Sequence, residues 1–255
     1  MSETVIQVSS LGKRIKGKTI LEDISFEINQ GDCVALIGPN GAGKTVLMSC
    51  ILGDKKPSSG QVLIEGKAGK AKNQIAVLLQ ENTIPNSLKV SELIAFFQSI
   101  SDNPLTNQEV QDLLQFKEDQ YQQFADKLSG GQRRLLAFVL CLIDKPKILF
   151  LDEPTAGMDT STRQRFWEIV NDLKKAGTTI LYSSHYIEEV EHTADRILVL
   201  HQGKLIRDTT PYAMRHEEKE KQVTLPSSFV SIVHSLTDIY EITEKRDVIS
   251  FMTKD

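Results

Sequence analysis

The stretch from Cys33 to Leu47, CVALIGPNGAGKTVL, decides the fold class of this 255-residue chain. Its first five residues are all apolar, which is typical of a strand covered on both faces. The glycine-rich segment after them matches the pattern GxxxxGK[ST], in which backbone N–H groups and a helix N-terminus surround a phosphate group. The stretch therefore predicts a buried strand, a phosphate-binding loop and a helix of roughly Lys44 to Leu52.

The loop residues are the predicted phosphate contacts. Lys44 would neutralise charge on the β- and γ-phosphates of a nucleotide, and the Thr45 hydroxyl would bind Mg²⁺. A glycine-rich turn with a chance Lys-Thr pair is the alternative, and it leaves the flanking strand and helix unexplained. The predicted nucleotide contacts from this segment are Gly38, Pro39, Asn40, Gly41, Ala42, Gly43, Lys44, Thr45 and Val46.

Other apolar strands end in residues that could complete the site. The strand ILFL is followed by Asp152, a predicted Mg²⁺ ligand, and by Glu153, which could polarise a water for attack on the γ-phosphate. Gln80 and His185 also follow apolar strands, and parallel sheets present ligands at these strand ends. For His185 a packing role remains an alternative. The predicted metal ligands are Thr45, Gln80 and Asp152, and the predicted catalytic residues are Lys44, Glu153 and His185.

Strands and helices alternate around these motifs. We predict an α/β P-loop NTPase core, in which a parallel sheet is joined to an antiparallel β-subdomain. Residues 81–143 have helical spacing and predict a helical subdomain within an ATPase domain of residues 1–210. Residues 211–255 predict a small C-terminal α+β domain with a strand, a helix and two strands hinged at Glu244-Lys245-Arg246.

Composition excludes several classes of protein. A formal charge of −4 gives no case for broad nucleic-acid affinity, so we expect no nucleic-acid partner. The longest apolar run, Leu135 to Ile143, is too short to span a bilayer. The three cysteines show no metal-type spacing and are expected to be small buried residues in a reducing compartment.

A second phosphate-binding pattern begins far along the chain, at Leu128, in KLSGGQRRLLAFVLCLI. The segment Leu128-Ser129-Gly130-Gly131-Gln132 resembles the signature motif of the nucleotide-binding subunits of ATP-binding cassette (ABC) transporters. Gln80 is similar to that family's Q-loop glutamine, His185 to its switch histidine, and Ala156-Gly157-Met158-Asp159 to its D-loop. The resemblance extends from about Val5 to Asp208 and has all six motifs in order.

The resemblance implies how a chain uses two phosphate loops. Two cassettes would stack head to tail, so that the signature of one caps the ATP held by Lys44 of the other, while Asp159 bridges to the opposite subunit. The partner could be an identical chain or a homologue. The signature residues that would contact ATP in this way are Ser129, Gly130, Gly131 and Gln132.

The resemblance also implies a separate membrane permease that docks near Gln80–Phe97, with the chain held at the cytoplasmic face of the membrane. The short C-terminal domain favours the bacterial branch that exports drugs, antibiotics or peptides. A soluble ABC ATPase of the cluster-assembly type and an importer subunit remain alternatives. A P-loop kinase or GTPase does not explain the signature motif, Gln80 or His185.

One expected residue is absent. The family places an aromatic residue against adenine shortly before the strand that begins near Leu21, and here that position is Ile15. The planar guanidinium of Arg14 could stack in its place. We therefore predict weak recognition of the base at Ile15, so that GTP serves nearly as well as ATP.

Overall fold

The computed structural model of the chain describes residues 3–67, 75–80, 84–85, 87–216, 220–237 and 239–254. The chain divides into two compact units, Met1–Asp208 and Thr209–Asp255. Among the helices described, none is long and apolar enough to cross a membrane. The assignment of the two units as domains with separate roles remains a prediction.

The first unit contains an antiparallel sheet of three strands near its N-terminus. Its strands are β1 (Thr4–Ile15), β2 (Lys18–Asn29) and β4 (Ser59–Ile64), with β1 in the middle. Along β2, Ile24, Phe26 and Ile28 are buried while the residues between them are exposed. This period of two is the signature of a sheet with one face on the core, and it confirms the predicted β-subdomain.

A six-stranded sheet forms the centre of the first unit, in the order β5-β6-β7-β3-β8-β9. Every pairing from β5 through to β8 is parallel. Strands β3, β6 and β7 are buried along their whole length, as the wholly apolar sequences of β3 and β6 require. The strands are β3 (Cys33–Ile37), β5 (Ile75–Leu78), β6 (Ile148–Leu151), β7 (Thr179–Ser184), β8 (Arg196–His201) and β9 (Lys204–Thr209).

Helices connect these strands and fill the region between β5 and β6. The predicted α/β fold with a helical insertion is confirmed. Helix α5 packs on α6 through the rings of Phe138 and Phe166, whose centroids are 4.4 Å apart. The helices are α1 (Lys44–Ile51), α2 (Val90–Ser99), α3 (Asn107–Leu114), α4 (Glu118–Tyr121), α5 (Gly130–Leu142), α6 (Thr160–Lys175) and α7 (Ile187–Thr193).

The second unit contains a three-stranded antiparallel sheet in the order β10-β12-β11. Its small core includes Val233, Ile249 and Phe251. The expected hinge at Glu244-Lys245-Arg246 is wrong by about one residue, because Glu244 and Lys245 still pair with β12 and the chain turns at Arg246-Asp247. The elements are α8 (Pro211–His216), β10 (Glu220–Pro226), α9 (Val230–Val233), β11 (Ile239–Lys245) and β12 (Val248–Lys254).

Candidate active site

Four predicted site residues follow four strands that are adjacent in the central sheet. Gln80 follows β5, Glu153 follows β6, His185 follows β7, and the loop to Lys44 follows β3. The Glu153 carboxylate lies 4.0 Å from Lys44 Nζ, 3.7 Å from His185 Nδ1 and 3.3 Å from Gln80 Nε2. The strand order therefore brings these predicted residues together around one carboxylate.

Close packing explains why the phosphate loop needs glycine at two positions. A Cβ atom on Gly38 would lie 2.1 Å from the carbonyl oxygen of Leu200. Gly43 has φ of 107°, and a Cβ there would lie 2.8 Å from Leu21 Cδ2. Because only glycine tolerates this φ without strain, the loop can turn sharply into α1 and direct its N–H groups inward.

Lys44 lies inside the loop that precedes it. Its side chain is 6% exposed, and Nζ donates hydrogen bonds to the carbonyl oxygens of Gly38 at 2.7 Å and Pro39 at 3.4 Å. The ammonium group is thus fixed at the centre of the loop, where it can exchange carbonyl contacts for phosphate oxygens. Pro39, Asn40, Gly41 and Thr45 are exposed around it, whereas Ala42 is buried.

Ser183 connects the two acidic residues, and the sequence patterns did not identify it. Its hydroxyl donates to Asp152 Oδ1 at 2.5 Å and accepts from the Glu153 N–H at 2.8 Å. Glu153 itself has φ of 44°, a left-handed conformation that non-glycine residues rarely adopt. Such strain is concentrated at functional sites, where the surrounding structure holds it in place.

The residues at this edge of the sheet fit a magnesium ion bound together with phosphates. Among the described residues, no three His, Cys, Asp or Glu side chains form a cluster that could hold a metal. Mg²⁺ is usually bound by one or two carboxylates plus the phosphates of its substrate, and it prefers oxygen ligands. Asp152, which is 2% exposed, and the exposed Thr45 on the first turn of α1 supply oxygens of this kind. The side-chain oxygen of Gln80 is a third candidate ligand, because the hydrogen bond from Gln80 to Glu153 uses its Nε2.

The signature segment begins α5. Ser129 is the N-cap: its hydroxyl accepts from the Gln132 N–H at 3.2 Å, while Gln132 Oε1 accepts from the Ser129 N–H at 3.1 Å. Ser129 and Gly130 are exposed, and a Cβ on Gly130 would meet nothing within 4 Å. This end of α5 therefore presents a hydroxyl, open backbone and the positive end of a helix dipole at the surface.

The D-loop lies against the signature within one chain. A Cβ on Gly131 would lie 3.1 Å from Asp159 Oδ2. Asp159 caps α6, because Oδ1 accepts from the Thr162 N–H at 3.0 Å and from the Ser161 hydroxyl at 2.6 Å. The hydrogen bond from Ser161, with those from Thr162, lowers the pKa of Asp159 below its usual value. The predicted bridge from Asp159 to an opposite subunit remains a prediction.

His185 is packed by its neighbours. Its ring stacks on Tyr186 with centroids 4.1 Å apart, and the guanidinium of Arg163 lies 5.4 Å from the Tyr186 ring centre. Glu189 pairs with Arg163 at 3.4 Å and accepts from the Thr155 hydroxyl. The ring is still 40% exposed, so it can contact both Glu153 and a ligand.

Two sequence expectations concern peripheral residues. Ile15 ends β1 and is 37% exposed, and its contact with a base remains a prediction. Cys33 and Cys50 are buried as expected, whereas Cys141 is partly exposed. Burial raises the pKa of Cys33 to about 12 and that of Cys141 to about 11, so both stay protonated thiols near neutral pH.

A protein-family model described as "ABC transporter" matches residues 21–156 of the chain. The Nod factor export ATP-binding protein I of Ralstonia nicotianae is 33% identical over 224 residues, which are 84% of this chain and 69% of that protein. The "Probable multidrug ABC transporter ATP-binding protein YbhF" of Escherichia coli is 30% identical over 244 residues, and this chain spans only 42% of its length.

Solved structures give the same fold. An ATP-binding subunit of an ABC transporter is 26% identical with a TM-score of 0.73, covering 84% of this chain and 92% of that one. A dimeric ATP-binding cassette in a post-hydrolysis state, with ADP and phosphate bound, is 20% identical with a TM-score of 0.71, covering 81% and 98%. The second likeness bears on the fold alone.

Proposed function

The chain belongs to the ABC transporter family, as an ATP-binding ATPase subunit, and from this premise we propose that two such cassettes close head to tail around two ATP molecules to drive a separate membrane permease. The main observation in support is that Lys44, Gln80 and His185 all lie within 4.0 Å of the Glu153 carboxylate.

In the proposed reaction, Glu153 accepts a proton from the attacking water. The water oxygen then bonds to the γ-phosphorus while the bond to the β-phosphate oxygen breaks, giving ADP and phosphate. Gln80 and His185 orient the water and the γ-phosphate, and Lys44 neutralises developing charge. Thr45, Gln80 and Asp152 would hold a Mg²⁺ ion, which would supply further charge neutralisation on the β- and γ-phosphates.

The exposure of the signature supports the head-to-tail arrangement. Ser129 and Gly130 are open at the surface. A helix N-terminus with an exposed hydroxyl favours an anion, and the γ-phosphate of a nucleotide on a second cassette supplies one. Two ATP molecules then stabilise the dimer, and hydrolysis with phosphate release removes that stabilisation. The second cassette is either an identical chain or a homologue.

An apolar groove supports the proposed permease docking site. The predicted docking segment runs from Gln80 to Phe97, and its residues 81–83 and 86 lie outside the described residues. The described part borders a groove of about 290 Å³ that would accept one apolar helix face. The groove is lined by Val77, Ile84, Pro85, Leu93, Phe97, Ala137, Leu140 and Cys141.

The names of the relatives support export as the direction of transport. YbhF is named for multidrug transport, and protein I for Nod factor export. We therefore place this chain at the cytoplasmic face of the membrane, bound through a permease that exports a drug, antibiotic or peptide. Co-purification with a membrane protein tests this placement; recovery with soluble cluster-assembly proteins instead would favour the non-transport alternative.

Replacement of Glu153 tests the proposed chemistry. Glu153→Gln keeps the shape of the side chain but cannot accept the proton, so turnover should fall by about 10²–10⁴-fold while ATP binding is kept. The variant should accumulate as an ATP-bound dimer in size-exclusion chromatography with ATP and Mg²⁺. Glu168→Gln, on the exposed side of α6, is the matched control. Hydrolysis at the wild-type rate by Glu153→Gln would contradict the assignment.

A further inference from the structure

A half-buried arginine in the second turn of α5 binds the backbone of the two segments that carry Gln80 and Glu153. Arg134 donates to the carbonyl oxygens of Leu79 at 2.5 Å and Gln80 at 2.9 Å, both just after β5. It also donates to three consecutive carbonyls after β6, those of Asp152 at 3.0 Å, Glu153 at 3.3 Å and Pro154 at 3.1 Å. One side chain thus joins the ends of two neighbouring strands to the signature helix.

These bonds use the guanidinium in a way that no other side chain could. Arginine carries five N–H donors in a fixed planar fork, whereas lysine presents a single compact ammonium. Burial lowers the pKa of Arg134 from its ordinary value, and the nearby Asp152 charge opposes this effect. Carbonyl dipoles from both strand ends surround the charge. The fork therefore sets the distance and angle between the two segments.

The two segments carry the residues that surround the attacking water in the proposed reaction. Gln80 Nε2 lies 3.3 Å from Glu153 Oε2, and the backbone of both residues is bonded to the same guanidinium. Glu153 is held at φ of 44°, which is costly for a non-glycine residue. Carbonyl bonds on either side of it, at Asp152 and Pro154, oppose relaxation of this strained backbone.

Helix α5 also contributes residues to the signature and to the apolar groove of the proposed docking site. Ser129 of the signature is its N-cap, Arg134 lies in its second turn, and Cys141 follows seven residues after Arg134. Ala137, Leu140 and Cys141 line the apolar groove. A shift of α5 caused at the signature or in the groove would move Arg134, and with it the carbonyls to which it is bonded.

We propose that Arg134 is a positioning residue that sets the geometry of Gln80 and Glu153 and ties it to the position of the signature helix. This inference rests on the proposed function, in which Glu153 activates the attacking water. Arg134 contacts neither nucleotide nor water in this account, so it acts on the rate of hydrolysis rather than on ATP affinity.

The test compares Arg134 with Arg165, a second arginine that binds backbone carbonyls. Arg165 donates to Leu113 at 3.0 Å and Asp112 at 2.5 Å and also pairs with Glu168, none of which is a site residue. In the full-length chain, Arg134→Ala should lower kcat about 100-fold, the effect of displacing a reacting group by about 1 Å. Its KM and its affinity for a fluorescent ATP analogue should stay near wild type, and Arg165→Ala should keep the wild-type kcat.

Two further measurements separate positioning from folding. Urea denaturation of both variants measures any shared loss of stability, and millimolar guanidinium should restore turnover to Arg134→Ala but not change Arg165→Ala. If Arg134→Ala does not fold, Arg134→Lys takes its place, with a lowered kcat and an unchanged KM expected. An unchanged kcat in the folded Arg134 variant, or a loss equal to that of Arg165→Ala, overturns the proposal. A wild-type chain without ATPase activity would instead overturn the proposed function.

Discussion

Helices α1 and α5 both begin at glycine-rich loops, and the two N-termini are built in opposite ways. Helix α1 starts at Gly43 with no side-chain cap, and Lys44 next to it is buried beside the Glu153 carboxylate. Helix α5 starts at Ser129, which forms a capping box with Gln132 and is exposed. The first N-terminus leaves its N–H groups for a ligand inside one chain. The second is stable alone and offers its surface to a ligand held elsewhere.

A phosphate-binding pattern therefore does not by itself define a complete site. The loop before α1 is surrounded by strand ends that carry Gln80, Glu153 and His185. The loop before α5 has the D-loop on one side, where Gly131 approaches Asp159, and open surface on the other. We therefore propose that the first loop determines ATP affinity and that the second completes the hydrolytic site.

The largest expected effects come from breaking one loop at a time. Lys44→Ala should weaken ATP binding to a single chain about 100-fold, because loss of a buried charged hydrogen-bond donor costs about 3 kcal/mol. Ser129→Arg should leave that affinity near wild type yet stop hydrolysis, since the defect appears only when two cassettes close. Titration with a fluorescent ATP analogue at low protein concentration, together with a phosphate-release assay, measures both.

The control for these two variants is Gln108→Arg, which places an exposed arginine on α3, away from both loops. Gln108→Arg should change neither the affinity for ATP nor the rate of hydrolysis. If Ser129→Arg weakens ATP binding to the single chain as much as Lys44→Ala does, the two loops serve one site within the chain, and the distinction between them is lost.

A smaller effect should separate the two glycines at the helix starts. Gly43→Ala places a side chain at φ of 107° and against Leu21, so the free energy of unfolding should fall by about 2 kcal/mol. Gly130→Ala meets nothing within 4 Å and should change it by no more than about 0.5 kcal/mol. Urea denaturation of both variants gives the comparison. Equal losses would show that the second loop is as tightly built as the first.

The smallest effect concerns the base rather than the phosphates. Ile15→Tyr should tighten ATP binding by at most about tenfold, which corresponds to about 1.4 kcal/mol, because an aromatic ring adds stacking on adenine. The wild-type chain should accept GTP nearly as well as ATP. Binding titrations with both nucleotides decide the matter. Strong preference for ATP in the wild type, with no gain in Ile15→Tyr, would mean that another group recognises the base.

The sequence was sufficient to predict residues whose place depends on strand ends. Lys44, Glu153 and His185 each follow an apolar run, and parallel strands bring such residues to one edge of the sheet. The alternating pattern of β2 likewise predicts which of its faces is buried. These features depend on local periodicity and motif spacing, which the sequence states directly.

Other parts of the site depend on contacts that no local pattern encodes. Ser183 was missed because its hydroxyl matters only once β7 lies beside β6 and reaches Asp152. Arg134 had a faint signal, since Arg133-Arg134 interrupts an otherwise apolar helix, but its five carbonyl partners come from two segments that are distant from it in the sequence. The φ of 44° at Glu153 is unpredictable for the same reason, because tertiary bonds and not residue type impose it.

Disulfide crosslinking between the two loops tests the central claim most directly. Cysteines would replace the exposed Asn40 in the first loop and Ser129 in the second, in a Glu153→Gln background that holds ATP. The native cysteines compete little, because Cys33 and Cys50 are buried, and burial raises the pKa of both thiols and that of the partly exposed Cys141. The account predicts a crosslink between two chains, seen as a dimer on a non-reducing gel, that requires ATP and is absent when either single-cysteine variant is used alone. A crosslink that forms within single chains, with or without ATP, would contradict the claim that the two loops meet across a pair of cassettes.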